Sequence, residues 1–263
     1  LGDVYKRQDK GNIMENLNTY SKKERNMFLT GMFGQNMIYN VVTVGLYYYF
    51  QNVICLPAIA FGWIFAIARI WDAINDPMMG SIVDKTRTKW GKCRPYLIFS
   101  PIVICVITIA AFFNGNYANA KANGNKTAMI FIVAWAAISY VLWGMSYTVG
   151  DIPLWGIISR ITESEKDRSS LISLSRIIAS IGAGLVVISI VAVSQSLNSA
   201  FGLDTNAQKG FIVAAIIITI IGSALFECAG TGTKERVPNG SETKTMKESF
   251  ALMWKCKPFR RIL

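Results

Sequence analysis

Residues 69–95 read R-I-W-D-A-I-N-D-P-M-M-G-S-I-V-D-K-T-R-T-K-W-G-K-C-R-P. The stretch begins in an apolar segment that still carries Arg69, Asp72, Asn75 and Asp76. It ends in a short loop holding Lys85, Arg87, Lys89, Lys92 and Arg94. On a helix, 72 to 75 and 72 to 76 are i,i+3 and i,i+4 steps. The three oxygen-bearing side chains therefore project from one face, with Arg69 one turn earlier. Two carboxylates side by side repel unless a cation lies between them, and a charge at mid-membrane costs roughly 2.5–3.5 kcal/mol. Asp72, Asn75 and Asp76 are thus expected to form a cation-binding face. A structural ion pair is the competing reading, and it leaves one acid over, because Arg69 neutralises only one.

The surrounding 263 residues are 52% hydrophobic, with a mean hydropathy of +0.35. That is too apolar for a soluble domain and ordinary for a polytopic, all-α membrane protein. There are 27 Lys and Arg against 16 Asp and Glu, for a net charge of +11. A basic balance can mark a nucleic-acid binder. Here the cations fall in short loops between apolar spans, which points to membrane topology and away from nucleic acid. With no His and five Cys in no C-x-x-C arrangement, no metal site is expected beyond a coupling cation, and no cofactor. No cleavable signal sequence appears. Residues 1–13 precede Met14, and the first eight resemble translated adapter sequence, so they are expected to be an artefactual leader. The chain stops at 259–263 where a further span would begin, and a fragment is therefore the expectation.

Six spans are predicted, at 27–50, 56–83, 95–113, 127–158, 171–193 and 210–228. They form one bundle over 14–228, followed by a loop segment at 229–263 with a linker to about 247 and a short interfacial helix at 249–254. Span I carries Gln35, Asn36, Tyr39 and Asn40 as a polar stripe, readable as a ligand face or as interhelical hydrogen-bonding glue. Gly31 and Gly34 permit close packing of this helix. In span II, Pro77 frees the carbonyl of Ala73. Span III carries no charge and reads as a supporting helix. In span IV, Tyr147, Thr148, Asp151 and Trp155 share roughly one face, with Pro153 interrupting the helix nearby. An aromatic ring beside a carboxylate suits a sugar: the ring packs on the C–H face and the acid accepts hydroxyl hydrogen bonds. Arg176, near the start of span V, either snorkels to the interface or donates to substrate oxygens. Of the cations, only Lys121, Lys126 and Lys209 fall in loops on one side, and Arg69 and Arg176 fall inside spans. All the rest lie on the other side, which places both ends in the cytoplasm and the protein in the cell membrane.

The string D-A-I-N-D-P-M-M-G from Asp72, followed by D-K-T-R-T-K-W-G-K-C-R-P, resembles the signature of the glycoside–pentoside–hexuronide:cation symporters of the major facilitator superfamily. Gly80 and Asp84 are the G-x-x-x-D pair of the wider superfamily. The stretches Y-V-L-W-G-M-S-Y-T-V-G-D-I-P-L-W at 140–155 and S-R-I-I-A-S at 175–180 support the likeness, which runs from about residue 26 to the end. The resemblance implies a twelve-helix transporter in two bundles, with this chain as the N-terminal one and a C-terminal six-helix half as its partner. It implies a Na⁺ or H⁺ site at Asp72, Asn75, Asp76 and Thr148. It implies a sugar site at Gln35, Asn36, Tyr147, Asp151, Trp155 and Arg176, with Arg69, Tyr39, Asn40, Gly80 and Asp84 as further polar or gating positions. One departure stands out. Melibiose permease carries a Lys–Asp pair where this chain has Gln35–Asn36, which disfavours melibiose as cargo and favours an anionic glycoside near Arg176. A symporter of lipids or amphiphiles, and a membrane sensor that binds sugar without moving it, are the alternatives. No feature suggests covalent chemistry, so an enzyme is not expected.

Overall fold

The computed structural model describes residues 19–202 and 208–237. The expected leader, most of the linker after 231 and the helix at 249–254 lie outside the described residues. The described chain is helical, with a single isolated bridge between Thr88 and Gly91.

Helix α1, Lys22–Asn40, begins at a reciprocal cap. The Glu24 N–H donates to Ser21 Oγ (3.2 Å), and the Ser21 N–H donates to a Glu24 carboxylate oxygen (2.9 Å). This satisfies two of the donors that a helix start leaves open. Beyond Asn40 the rod continues as two π-helical stretches, Val41–Leu46 and Tyr49–Val53. The local cause is visible in the residues. Asn40 Nδ2 donates to the Asn36 carbonyl and Thr43 Oγ1 to the Tyr39 carbonyl (2.9 Å each), competing with the backbone ladder. The run Val41-Val42-Thr43-Val44 is β-branched and stiff.

The remaining helices are α2 (Ala58–Lys85), α3 (Arg94–Phe112), α4 (Tyr117–Ala122), α5 (Lys126–Gly156), α6 (Ile158–Ile161), α7 (Glu165–Phe201) and α8 (Gln208–Gly232). Against the six spans the sequence predicts, five helices among the described residues have the length and apolarity to cross a membrane: α2, α3 with α4, α5 with α6, α7, and α8. The first expected span is not among them, because α1 opens on Lys22, Lys23, Glu24 and Arg25 and carries four amides, Asn26, Gln35, Asn36 and Asn40. The residues at 159–170 and 194–209, expected as loops, are partly helical. Ser164 caps α7 by accepting the Asp167 N–H (3.3 Å), which starts the helix early. It runs on until Gly202, at φ +57°, ends it. Helix α2 passes through Pro77 unbroken.

Helix α1 is central and packs on α8 and α7; α3 packs on α8 and α5, and α2 chiefly on α5. Glycines bring α1 and α8 together. A Cβ on Gly34 would meet the Phe226 amide nitrogen at 2.6 Å, and one on Gly222 would meet Ile38 at 2.9 Å. One apolar cluster, around Tyr49, Phe50, Phe112 and Phe211, fills the end away from the basic loops. Another, around Phe28, Leu97, Leu154 and Phe226, fills the basic end. The outward face of α2 is an apolar stripe of Ile59, Trp63, Ile67, Ile70 and Ile74, as a lipid-facing or bundle-facing surface requires.

Gly34→Leu is expected to destabilise the protein by about 1–3 kcal/mol, by overpacking the α1–α8 seam. Gly184→Leu, at a position where a side chain meets open space, should be near neutral. Thermal unfolding in detergent micelles compares the two.

Candidate functional site

Between α2 and α5, with the start of the π-helical turns at one side, lies a cavity of about 210 Å³. Helix α2 supplies Arg69, Asp72 and Asp76. Helix α5 supplies Tyr140, Trp143, Gly144, Tyr147, Thr148 and Asp151, and the first rod supplies Tyr39 and Thr43. Arg69 Nη1 stands 3.7 Å from Asp72 Oδ2. The Thr148 hydroxyl lies 3.1 Å from Asp76 Oδ1 and 3.0 Å from the Gly144 carbonyl, and its one proton serves either acceptor. Gly144 sits opposite Asp72: a Cβ there would be 3.2 Å from Asp72 Oδ1, so the missing side chain is what lets the carboxylate lie against α5.

The third acid of the cavity, Asp151, is held differently. Buried Gln35 donates from Nε2 to Asp151 Oδ1 (2.7 Å) and also contacts the Tyr147 hydroxyl. Tyr147 Oη is 3.5 Å from the same carboxylate oxygen. The wall beside them is aromatic: Trp143 stacks on Tyr147 with ring centroids 5.0 Å apart, and Tyr39 lies 5.3 Å from Tyr147. The Trp143 indole N–H is buried without a hydrogen-bond partner. A cavity with three carboxylates, one guanidinium and a ring-lined wall is equipped to hold a cation and a polyhydroxylated ligand together.

The MFS/sugar transport protein family matches residues 27–263. The chain belongs to that family. It is similar to an uncharacterized symporter of Bacillus subtilis, 30% identical over 227 residues, which are 86% of this chain and 46% of that protein. It is similar to the isoprimeverose transporter of Lactiplantibacillus pentosus, 28% identical over 239 residues, or 90% of this chain and 46% of that one. It is also similar to a lactose permease of Leuconostoc lactis, 30% identical over 190 residues, or 70% of this chain and 29% of that permease. The chain thus spans about half the length, or less, of these relatives. The likeness to the glycoside–pentoside–hexuronide:cation symporters, read from the motif at 72–95, is shown by this set.

Of the residues that the sugar-transport family resemblance points to, the structure brings Asp72, Asp76, Thr148, Tyr147 and Asp151 into one cavity, with Gln35 bonded to its wall. Asn75 does not line it. Asn75 is buried on the packed face of α2, with Ala68 and Met79, and its Nδ2 has no hydrogen-bond partner. The reason is helical phase: from Asp72, a three-residue step turns about 60° one way and a four-residue step about 40° the other. Asn36 and Asn40 return their amide protons to the carbonyls of Met32 and Asn36, and Asn36 also bonds Gln35 Oε1 (2.6 Å). Trp155 and Arg176 pair with each other outside the cavity lining, the guanidinium carbon 5.8 Å above the indole. Gly80 faces open space and Asp84 is exposed. Tyr140, Trp143 and Gly144 were not singled out from the sequence. They lie seven, four and three residues before Tyr147, on the same helical face, and that periodicity is the signal that finds them.

Gln35→Leu is expected to cost about 1–3 kcal/mol of stability, because Asp151 loses its amide donor while staying half-buried. Gln35→Leu combined with Asp151→Leu should cost less than the sum of the single changes. Thermal unfolding of the four proteins in detergent closes that cycle.

Proposed function

We propose that this chain is the first bundle of a cation-coupled sugar symporter that works by alternating access. The proposal counts the rod of α1 and its π-helical turns as a first of six spans, with both ends in the cytoplasm and a second six-helix half completing the cavity. The observation that carries it is the placement of Asp72 and Asp76 on one cavity wall with a single cation, Arg69, beside them. Na⁺ or H⁺ at this pair relieves the repulsion that a lone arginine leaves. Thr148 supplies the α5 oxygen next to Asp76, and Asp151, Tyr147 and Gln35 receive sugar hydroxyls one helical turn further on. Binding of each ligand strengthens binding of the other by the same factor. Inward cation flow then drives uptake, with about 2.3 kcal/mol per charge for each 100 mV. The named relatives, which transport isoprimeverose and lactose, support a glycoside as cargo.

The neutral Gln35–Asn36 pair and the exposed Arg176 over Trp155 favour a glycoside bearing a carboxylate. Competition by a uronide and not by a neutral disaccharide is the expected result. On its own, this bundle supplies one wall of the cavity and is expected to be inactive in transport.

Asp76→Cys in the complete symporter is expected to abolish cation-driven accumulation of labelled glycoside in membrane vesicles. Uphill transport that persists in this variant refutes the cation-site assignment.

A further inference from the structure

The loop between α2 and α3 turns on Gly91, at φ +113°, a conformation that favours glycine. Three successive N–H groups then point at one carboxylate from the far end of the chain. Lys92 donates to Glu235 Oε2 (3.0 Å), and Cys93 and Arg94 donate to Glu235 Oε1 (2.7 and 3.2 Å). A Cβ on Gly91 would collide with that carboxylate. The next residue, Arg236, donates from Nη2 to both carboxylate oxygens of Glu24 at the start of α1 (2.9 and 2.7 Å). The backbone N–H groups of Arg236 and Val237 both donate to the Arg160 carbonyl in α6 (2.8 and 3.0 Å). Arg94 Nε adds a bond to the Gly230 carbonyl of α8 (3.3 Å). Residues 235–237 therefore reach the ends of α1, α3 and α6 at once.

We propose that residues 233–237 are a clasp that locks the basic ends of α1, α3, α6 and α8 into one block, with Glu235 as the positioning residue for the start of α3. The clasp acts whatever the cargo is. It explains a pattern the packing alone does not: the segment leaving α8 folds back beneath the bundle and satisfies donors at a helix start that no local side chain caps. A carboxylate at this position also meets the positive end of the α3 dipole, inside a loop of five cations. Burial of Glu24 opposes its ionisation, but the hydrogen bonds from Arg236 and Ser21 outweigh it and hold the carboxyl below its ordinary value. That contribution is present above the ordinary carboxylate pKa and is lost as pH falls below it.

Cys93 reports on the clasp. It is 2% exposed, and burial, with Glu235 nearby, pushes its thiol up to about 12. A thiol that is buried and protonated resists alkylation. The experiment is N-ethylmaleimide labelling of the protein in detergent-permeabilised membranes, read by mass spectrometry at the Cys93 peptide and, as a reference, at Cys105 within α3. Glu235→Ala and Arg236→Ala are each expected to raise the Cys93 rate by about tenfold or more, as local opening exposes the thiol, while Cys105 stays at its native rate. Glu235→Gln, which keeps one acceptor oxygen, should fall between native and Glu235→Ala. Native labelling of Cys93 in Glu235→Ala overturns the clasp. So does an equal rise at Cys93 and Cys105 in every variant, because that is general loosening.

Discussion

Two carboxylates one helical turn apart have to be held in place on α2, a helix that rests chiefly on one neighbour. Helix α2 packs on α5, and α5 accommodates it by having no side chain at Gly144, where Asp72 comes closest. The Thr148 hydroxyl faces Asp76 one turn on. The rest of the bundle stands behind that contact. Helix α5 rests on α3, α3 on α8, and α8 on α1 through glycine-mediated backbone approach. The acids are thus positioned by a succession of close packings that begins on the other side of the molecule.

The two halves of the cavity hold their acids in different ways. Asp72 has a cation at ion-pair distance, and Asp76 has a hydroxyl. Asp151 has a neutral amide and a phenol, which donate hydrogen bonds without cancelling its charge. A neutral partner leaves the acid free to exchange its hydrogen bonds for those of a ligand of similar polarity. The orphaned Trp143 N–H and the rings around it make the same wall apolar and under-satisfied, a combination found where a ligand completes the hydrogen bonding.

Much of this was legible in the sequence because it is written in helical periodicity and residue type. The acids at 72 and 76, the Tyr147–Thr148–Asp151 face, and Gly31 and Gly34 as close-packing positions could all be read there; that α8 is the neighbour packed on those glycines could not. What periodicity cannot say is where the neighbouring helix stands, and that decided the exceptions. Asn75 shares a face with the acids to within an i,i+3 step, yet the seam with α5 takes it and the cavity takes Asp76. Asn36 and Asn40 read as a ligand stripe, but in α1 each amide finds a carbonyl four residues back, which weakens the ladder and lets the rod pass into π-helical turns. The same polarity kept α1 out of the helices apolar enough to be counted as spans. Glu235 was invisible for another reason. Its partners are backbone N–H groups more than 140 residues away, and such donors leave no side-chain pattern to read.

Coupling in the proposed symporter has a short physical route. Thr148 and Asp151 are an i,i+3 pair on α5, so the oxygen that meets Asp76 and the acid proposed to meet the sugar ride on the same turn of one helix. On that proposal, a cation drawn between Asp72 and Asp76 would pull α2 toward α5 and fix Thr148, and the shift would reach Asp151 without crossing a helix interface. The reverse follows from linkage: a sugar that settles Asp151 settles Thr148 and prepares the cation site. No long pathway through the bundle is needed, because the two sites share a wall. The demand placed on the protein is that α5 behave as a rigid element between them, and its unbroken course from Lys126 to Gly156, through Pro153, meets that demand.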